Sequence, residues 1–143
     1  MVVTHRQARV FAMQVLYGLE INGGTPGEAV SAVLASDEFQ KPQQAYGMNL
    51  VDRVLENRAE YEATLAALSV GWDIDRMAML DRILIMQCFA ELSYVTDVPV
   101  RVVLQEAVQI ANKYSTEQSG LFVNGILDRF ARDRKMLGEE NND

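Results

Sequence analysis

The chain has 143 residues, 49% of them apolar, which is enough to close one hydrophobic core without disulfides or metals. Its single cysteine, Cys88, excludes an internal disulfide, no apolar run reaches the length of a membrane span, and no secretory h-region opens the chain. One cytoplasmic domain over residues 1–143 is expected, helical from about 4 to 136, with residues 137–143 as a disordered tail.

The net charge of −7 argues against nucleic acid as a partner, but it hides an asymmetry. Residues 1–19 carry Arg6 and Arg9 with no acid, residues 129–135 carry four bases against Asp133, and the rest holds seven bases and nineteen acids. At the C-terminal end, cations from Arg129 to Lys135 either complement a helix dipole or meet an anionic partner. For Arg6 and Arg9 the dipole has the wrong sign, so another cause must keep them in a first turn.

From about Thr4 to Ile21 the pattern predicts a helix, with Thr4 as cap and Gly23-Gly24 as stop. Arg6, Arg9, Met13 and Tyr17 fall on one stripe, and Phe11, Val15 and Leu19 on another. The first stripe is either an RNA-facing edge, with arginines for phosphates and a tyrosine for an unpaired base, or an extension of the core. Thr25-Pro26-Gly27-Glu28 combines a capping threonine, a proline at the first position and a glutamate at the third, and so opens a short helix. It lacks the Gly-Lys-Ser/Thr ending of a phosphate loop.

One longer helix is expected from about Gln44 to Leu68, with Leu50, Val54, Tyr61, Leu65 and Leu68 inward and Gly71 as its stop. Asp73 and Asp75 do not have calcium-loop spacing, and Asp75 reads as the cap of the next helix, about Arg76 to Tyr94. That helix is apolar almost all round and belongs in the middle of a bundle, with Cys88 as a core residue. His5, the only histidine, has no metal-ligand partner at useful spacing, so no metal or cofactor is expected. Val98-Pro99 opens a helix whose inward face is Val100, Val103, Leu104, Ala107, Val108 and Ala111.

The segment Tyr114 to Phe130 contains a local conflict. Asn124-Gly125 between apolar residues is a hairpin signal, yet Phe122, Ile126 and Phe130 recur at helical spacing. The reading is a helix started by a Ser115/Gln118 capping box, with Gly125 explained by the close approach of a neighbouring helix. No strand and no internal repeat is expected.

Several groups then line up along the chain: Arg6-x-Ala8-Arg9 with Gln14-x-x-Tyr17-x-x-Glu20; Trp72-x-x-x-Arg76 leading to Asp81-Arg82-x-Leu84 and Glu91-Leu92; and Val98-Pro99-x-x-Val102-x-x-Gln105-Glu106-Ala107-Val108. The last continues through Ala111-x-Lys113-Tyr114-Ser115 to Ser119-x-x-Phe122-Val123-Asn124-Gly125-Ile126-Leu127-Asp128. Together, from about Thr4 to Phe130, they resemble the NusB family of bacterial transcription antitermination factors. The resemblance implies an all-α, seven-helix fold of two small bundles, roughly the first three helices and the last four, with no enzymatic activity. It also implies pairing with the small-subunit ribosomal protein NusE, binding of a single-stranded boxA RNA in ribosomal RNA leaders, and loading of the antitermination complex on RNA polymerase.

By position, the resemblance assigns Arg6 and Arg9 to RNA phosphates, and Tyr17 and Phe122 to the adjoining RNA surface, although Phe122 fits a core position equally well. Asp81, Glu91 and Glu106 match acidic positions and are the partner-facing candidates, with Glu106 and Asn124 alternatively holding helices together. His5, Met86 and Leu121 stand where relatives often carry basic residues, and Gln105 where asparagine is usual, so weak RNA binding without the partner is expected. An apolar surface from Met86 and Leu121 would favour self-association, which some relatives show. Three other readings compete. They are a detached RNA-binding module like that of ribosomal RNA cytosine methyltransferases, an enzyme using carboxylates such as Glu106 and Asp128, and a helical adaptor that binds protein only.

Overall fold

The structure, a computed structural model, describes residues 5–36, 38–71 and 77–137. Among these residues the regular elements are seven helices: α1 (Arg6–Asn22), α2 (Pro26–Leu34), α3 (Lys41–Glu56), α4 (Arg58–Leu68), α5 (Met79–Tyr94), α6 (Val100–Tyr114) and α7 (Ser119–Asp133). None of them is long and apolar enough to cross a membrane.

The local signals act where the chemistry is short-range. Gly23 ends α1 with φ +68°. The Thr25 hydroxyl accepts from the Glu28 amide at 3.1 Å, and the Glu28 carboxylate accepts from the Thr25 amide at 2.8 Å, so both orphan donors of α2 are satisfied. Helix α3 begins three residues earlier than expected because Gln43 reaches back to the Gln40 amide at 2.9 Å and Pro42 lies in the first turn.

The single helix expected from Gln44 to Leu68 is in fact two. Asn57 leaves the helical conformation (φ −114°, ψ 19°), and its side-chain amide donates to the Arg53 carbonyl at 2.8 Å. An asparagine side chain that competes for the backbone in this way breaks the ladder. The apolar stripe still runs through both halves, with Leu50, Val54, Tyr61, Leu65 and Leu68 all buried. That is why its period concealed the break. Helix α4 ends at Leu68, ahead of Gly71, whose φ is +91°. The expected caps Thr4 and Asp75, along with Trp72, Asp73 and Arg76, lie outside the described residues.

Helix α5 is the axis of the molecule, packing against α1, α3, α4, α6 and α7. Every residue from Ile83 to Leu92 is buried. Phe89 stacks on Phe130 with ring centres 4.2 Å apart and meets Tyr61 edge-on at 5.9 Å, which ties α4, α5 and α7 together. One continuous apolar cluster takes residues from all seven helices, so the α1–α3 and α4–α7 groups share a core through α5.

Two expectations for the final hairpin are corrected. Ser115 caps no helix start; it closes α6. The serine that acts is Ser119, whose hydroxyl accepts from the Thr116 amide at 3.0 Å and donates to Asp81 Oδ2 at 2.8 Å. Nor does any helix approach Gly125: a methyl group there would meet nothing within 4 Å. Close approach occurs at Gly47 instead, where a Cβ would lie 2.7 Å from both the Ala8 carbonyl and the Phe11 ring. After α7, Lys135 takes φ +57° and the Met136 amide bonds back to the Ala131 carbonyl at 2.8 Å. This turn seats Leu137 in a buried position.

Gly47→Ala is expected to destabilise by about 1–3 kcal/mol, because both obstacles lie on a packed helix. Gly125→Ala is expected to stabilise by about 0.5–1 kcal/mol, since it adds helix propensity in open space. Urea unfolding of the two variants measures both, and equal losses would restore a packing role to Gly125.

Candidate nucleic-acid interface

The stripe Arg6, Arg9, Met13, Tyr17 is not a continuous exposed edge. Met13 and Arg9 are each only 2% exposed, and the stripe reaches the surface only at its two ends, Arg6 and Tyr17. The reason lies on α5. Glu91 is fully buried, and its carboxylate takes the Arg9 guanidinium in a two-point clasp, Nε to Oε1 at 2.8 Å and Nη2 to Oε2 at 2.6 Å. The Tyr46 hydroxyl from α3 donates to the same Oε2 at 2.6 Å, and Gln87 Nε2 donates to the Arg9 carbonyl at 2.8 Å. His5 stacks on the Tyr46 ring with centres 3.9 Å apart.

Outside this buried pair lies a second. Glu106 on α6 accepts from Arg6 Nε at 2.9 Å and from Arg6 Nη2, and stands 3.5 Å from Arg9 Nη1. Gln109, one turn further along α6, also accepts from Arg6 Nη2. Two cations and two carboxylates thus form one neutral cluster at the start of α1.

The electrostatics follow from that arrangement. Burial pulls the Arg9 guanidinium down, but the hydrogen bonds and charge of Glu91 outweigh it and hold its pKa above the ordinary value. Burial, followed by the hydrogen bond to Glu91, pushes the Tyr46 hydroxyl well up, so it remains a donor at any physiological pH. The Arg6 hydrogen bonds hold Glu106 below the usual glutamate range. Burial likewise pushes up the Cys88 thiol, which is therefore an unreactive core group.

The remaining expected site residues are also placed by these contacts. Asp81 is buried under Ser119, and Phe122 is 6% exposed, so neither presents a free surface and the outward aromatic role expected of Phe122 is not what its position offers. Of the three acids expected to face a partner, only Glu106 reaches solvent. Met86 is buried, whereas Leu121 is 79% exposed. Leu121 borders an open groove of about 530 Å³ between α6 and α7, lined by the amides of Gln105, Gln109, Asn112 and Asn124 together with Val108, Glu117 and Gly120. Asn112 accepts from the Gly120 amide at 3.0 Å, which fixes the groove's base. At the far end of α7, Arg132 pairs with Asp128 at 2.7 Å and Arg134 lies over the Phe130 ring at 3.8 Å. Those contacts account for part of the C-terminal basic run within the protein itself. Among the described residues no group of His, Cys, Asp and Glu is arranged to hold a metal ion.

The sequence reading missed Tyr46 and Gln87. A signal for the cluster was present: Gln87 and Glu91 are polar residues one turn apart within the apolar run from Ile83 to Leu92, and a buried carboxylate requires a cation.

Arg9→Ala or Glu91→Ala, each leaving an uncompensated buried charge, is expected to cost about 3–5 kcal/mol of stability, against less than about 1 kcal/mol for Arg6→Ala. Because the pKa of Glu106 is depressed by folding, its contribution is complete at neutral pH and lost as pH falls below about 4.3. Glu106→Gln should therefore flatten the acid limb of the stability profile measured by urea unfolding between about pH 3 and 7.

Comparison with known proteins identifies the fold and family. Residues 6–132 match the model of the NusB family. The transcription antitermination protein NusB of Pelotomaculum thermopropionicum is 37% identical over 127 residues, covering 89% of this chain and 88% of that protein. Its namesake in Desulfitobacterium hafniense is 34% identical over 143 residues, covering 99% and 97%. A chain in the crystal structure of antitermination factors NusB and NusE in complex with double-stranded RNA superposes with a TM-score of 0.79 at 28% identity, covering 90% of this chain and 96% of that one. With a family model spanning almost all of its helical residues and relatives of matching length, this chain belongs to the NusB family.

Proposed function

We propose that this chain acts in transcription antitermination by binding a single-stranded, boxA-type RNA of ribosomal RNA leaders together with a small-subunit ribosomal protein of the NusE kind, as part of an antitermination complex on RNA polymerase. The observation that carries this reading is the family match over residues 6–132, together with the likeness to a chain crystallised with NusE and double-stranded RNA, which supports RNA binding as such. The chain's own surfaces fit it. Glu28, Glu38, Asp52, Glu56, Glu60 and Glu62 lie exposed along α2 to α4 and the loops between them, a field suited to a basic ribosomal protein. Single-stranded RNA is read by stacking and by hydrogen bonds to unpaired base edges. Tyr17, 39% exposed, offers a ring, and the amide-lined α6/α7 groove offers donors and acceptors.

In this reading Arg6 and Tyr17 are the outward contacts on α1, while Arg9, Glu91, Asp81 and Phe122 hold the helices that present them. This reading calls for no catalysis and no cofactor. The neutral charge of the Arg6, Arg9, Glu91, Glu106 cluster supports weak RNA binding by the chain alone. The ribosomal partner then supplies most of the positive charge.

Titration of labelled boxA RNA with and without the ribosomal protein, at two salt concentrations, tests this. Binding should tighten at least about tenfold with the partner and weaken with salt. Tyr17→Ala should cost about 1 kcal/mol or more of RNA affinity if its ring stacks on a base. A duplex RNA that competes as well as the single strand would reject the single-strand reading. Tight partner binding with no RNA binding would make the chain a protein adaptor.

A further inference from the structure

The one arginine of α1 that faces outward is already occupied by an anion of the protein's own. Arg6 is 44% exposed on its side chain, yet its Nε and Nη2 close on the two oxygens of Glu106, and Nη2 also serves Gln109. The same planar fork binds carboxylate and phosphate in the same two-point geometry. Glu106 therefore fills the face of Arg6 that a phosphate would take. The two partners are unequally tethered. Glu106 is 21% exposed and stands 3.5 Å from Arg9, which Glu91 locks in place. If Arg6 swings outward, Glu106 keeps a cation beside it and is not left as a bare carboxylate. The exchange of Glu106 for an external anion on Arg6 is thus cheap in this particular setting.

We propose that Glu106 is an internal competitor for the RNA backbone. It occupies Arg6 in the free protein, and a phosphate must displace it to bind there, so Glu106 sets the affinity of the α1 end for RNA. The cluster's net charge is zero as built and becomes +1 when Glu106 is neutralised. The proposal rests on the RNA-binding reading for its biological ligand, but the ion exchange itself is tested without RNA.

The full chain, labelled with ¹⁵N-arginine, is titrated with inorganic phosphate while the Arg6 Nε–Hε resonance is followed, that resonance being assigned by its loss in Arg6→Lys. Glu106→Gln should bind phosphate at Arg6 at least about fivefold more tightly than the parent protein, with Glu106→Ala as a second variant expected to act in the same direction. With boxA RNA and the ribosomal partner, Glu106→Gln should raise affinity about threefold or more, and the gain should vanish in Arg6→Ala/Glu106→Gln. Unchanged or weaker phosphate binding at Arg6 in both Glu106 variants overturns the proposal, and a lowered unfolding midpoint alongside it makes Glu106 a structural clamp instead. Phosphate binding that tightens as expected, in a protein that takes no RNA with or without the partner, keeps the exchange and rejects the RNA-binding reading.

Discussion

A guanidinium and a carboxylate each cost several kcal/mol to remove from water, and their attraction repays that cost only when the geometry is good and the remaining hydrogen-bonding positions are filled. The Arg9–Glu91 pair satisfies both conditions, with a two-point clasp, a tyrosine hydroxyl on one carboxylate oxygen and a glutamine on the arginine's own carbonyl. These partners come from α1, α3 and α5, so the clasp ties the three helices together, with the Gln87 amide oxygen left buried and without a partner. An apolar contact at the same place would tolerate sliding of α1 along α5, whereas the clasp does not. The surrounding core, with Phe11, Val15 and Phe89 fully buried, supplies the bulk of the stabilisation.

The same pair decides what the outer surface can do. Once Glu91 has taken Arg9, the start of α1 has one outward cation, and Glu106 balances it. A sequence count of two arginines without an acid becomes, in three dimensions, a neutral cluster contributed to by α5 and α6. The protein's acidic body then suits a basic partner, and the α1 end offers little net positive charge of its own. Under the proposed function, weak intrinsic RNA binding and reliance on a ribosomal protein would both trace to this one arrangement of charge.

Backbone contacts shape the rest. Gly47 lets α3 lie directly against the carbonyl of Ala8, which places Tyr46, the adjacent residue, within reach of Glu91. Asn57 turns the chain so that α4 packs on α5 and α7. Ser119 bridges the start of α7 to Asp81 at the start of α5, which fixes the hairpin that forms the amide-lined groove. Each is a small residue or a short polar side chain acting at a helix crossing or end.

The sequence by itself determined what depends on neighbours a few residues apart. The Thr25 capping box, the stop at Gly23, the inward stripes of α3 and α4, the all-round burial of α5 and the family-specific run from Ser119 to Asp128 were all legible, because capping and helical periodicity are local. Tertiary structure alone decided which of the marked residues face outward. Arg6 and Arg9 are three residues apart on one stripe, yet one is open to solvent and the other sealed, because the acid that claims Arg9 lies 82 positions away on another helix. From the sequence, Phe122 is open between surface and core and Gly125 is expected at a close helix contact; the assembled helices bury the ring and leave the glycine in open space, overturning the second expectation. Burial and charge pairing are properties of the assembled helices, and no spacing along one helix encodes them.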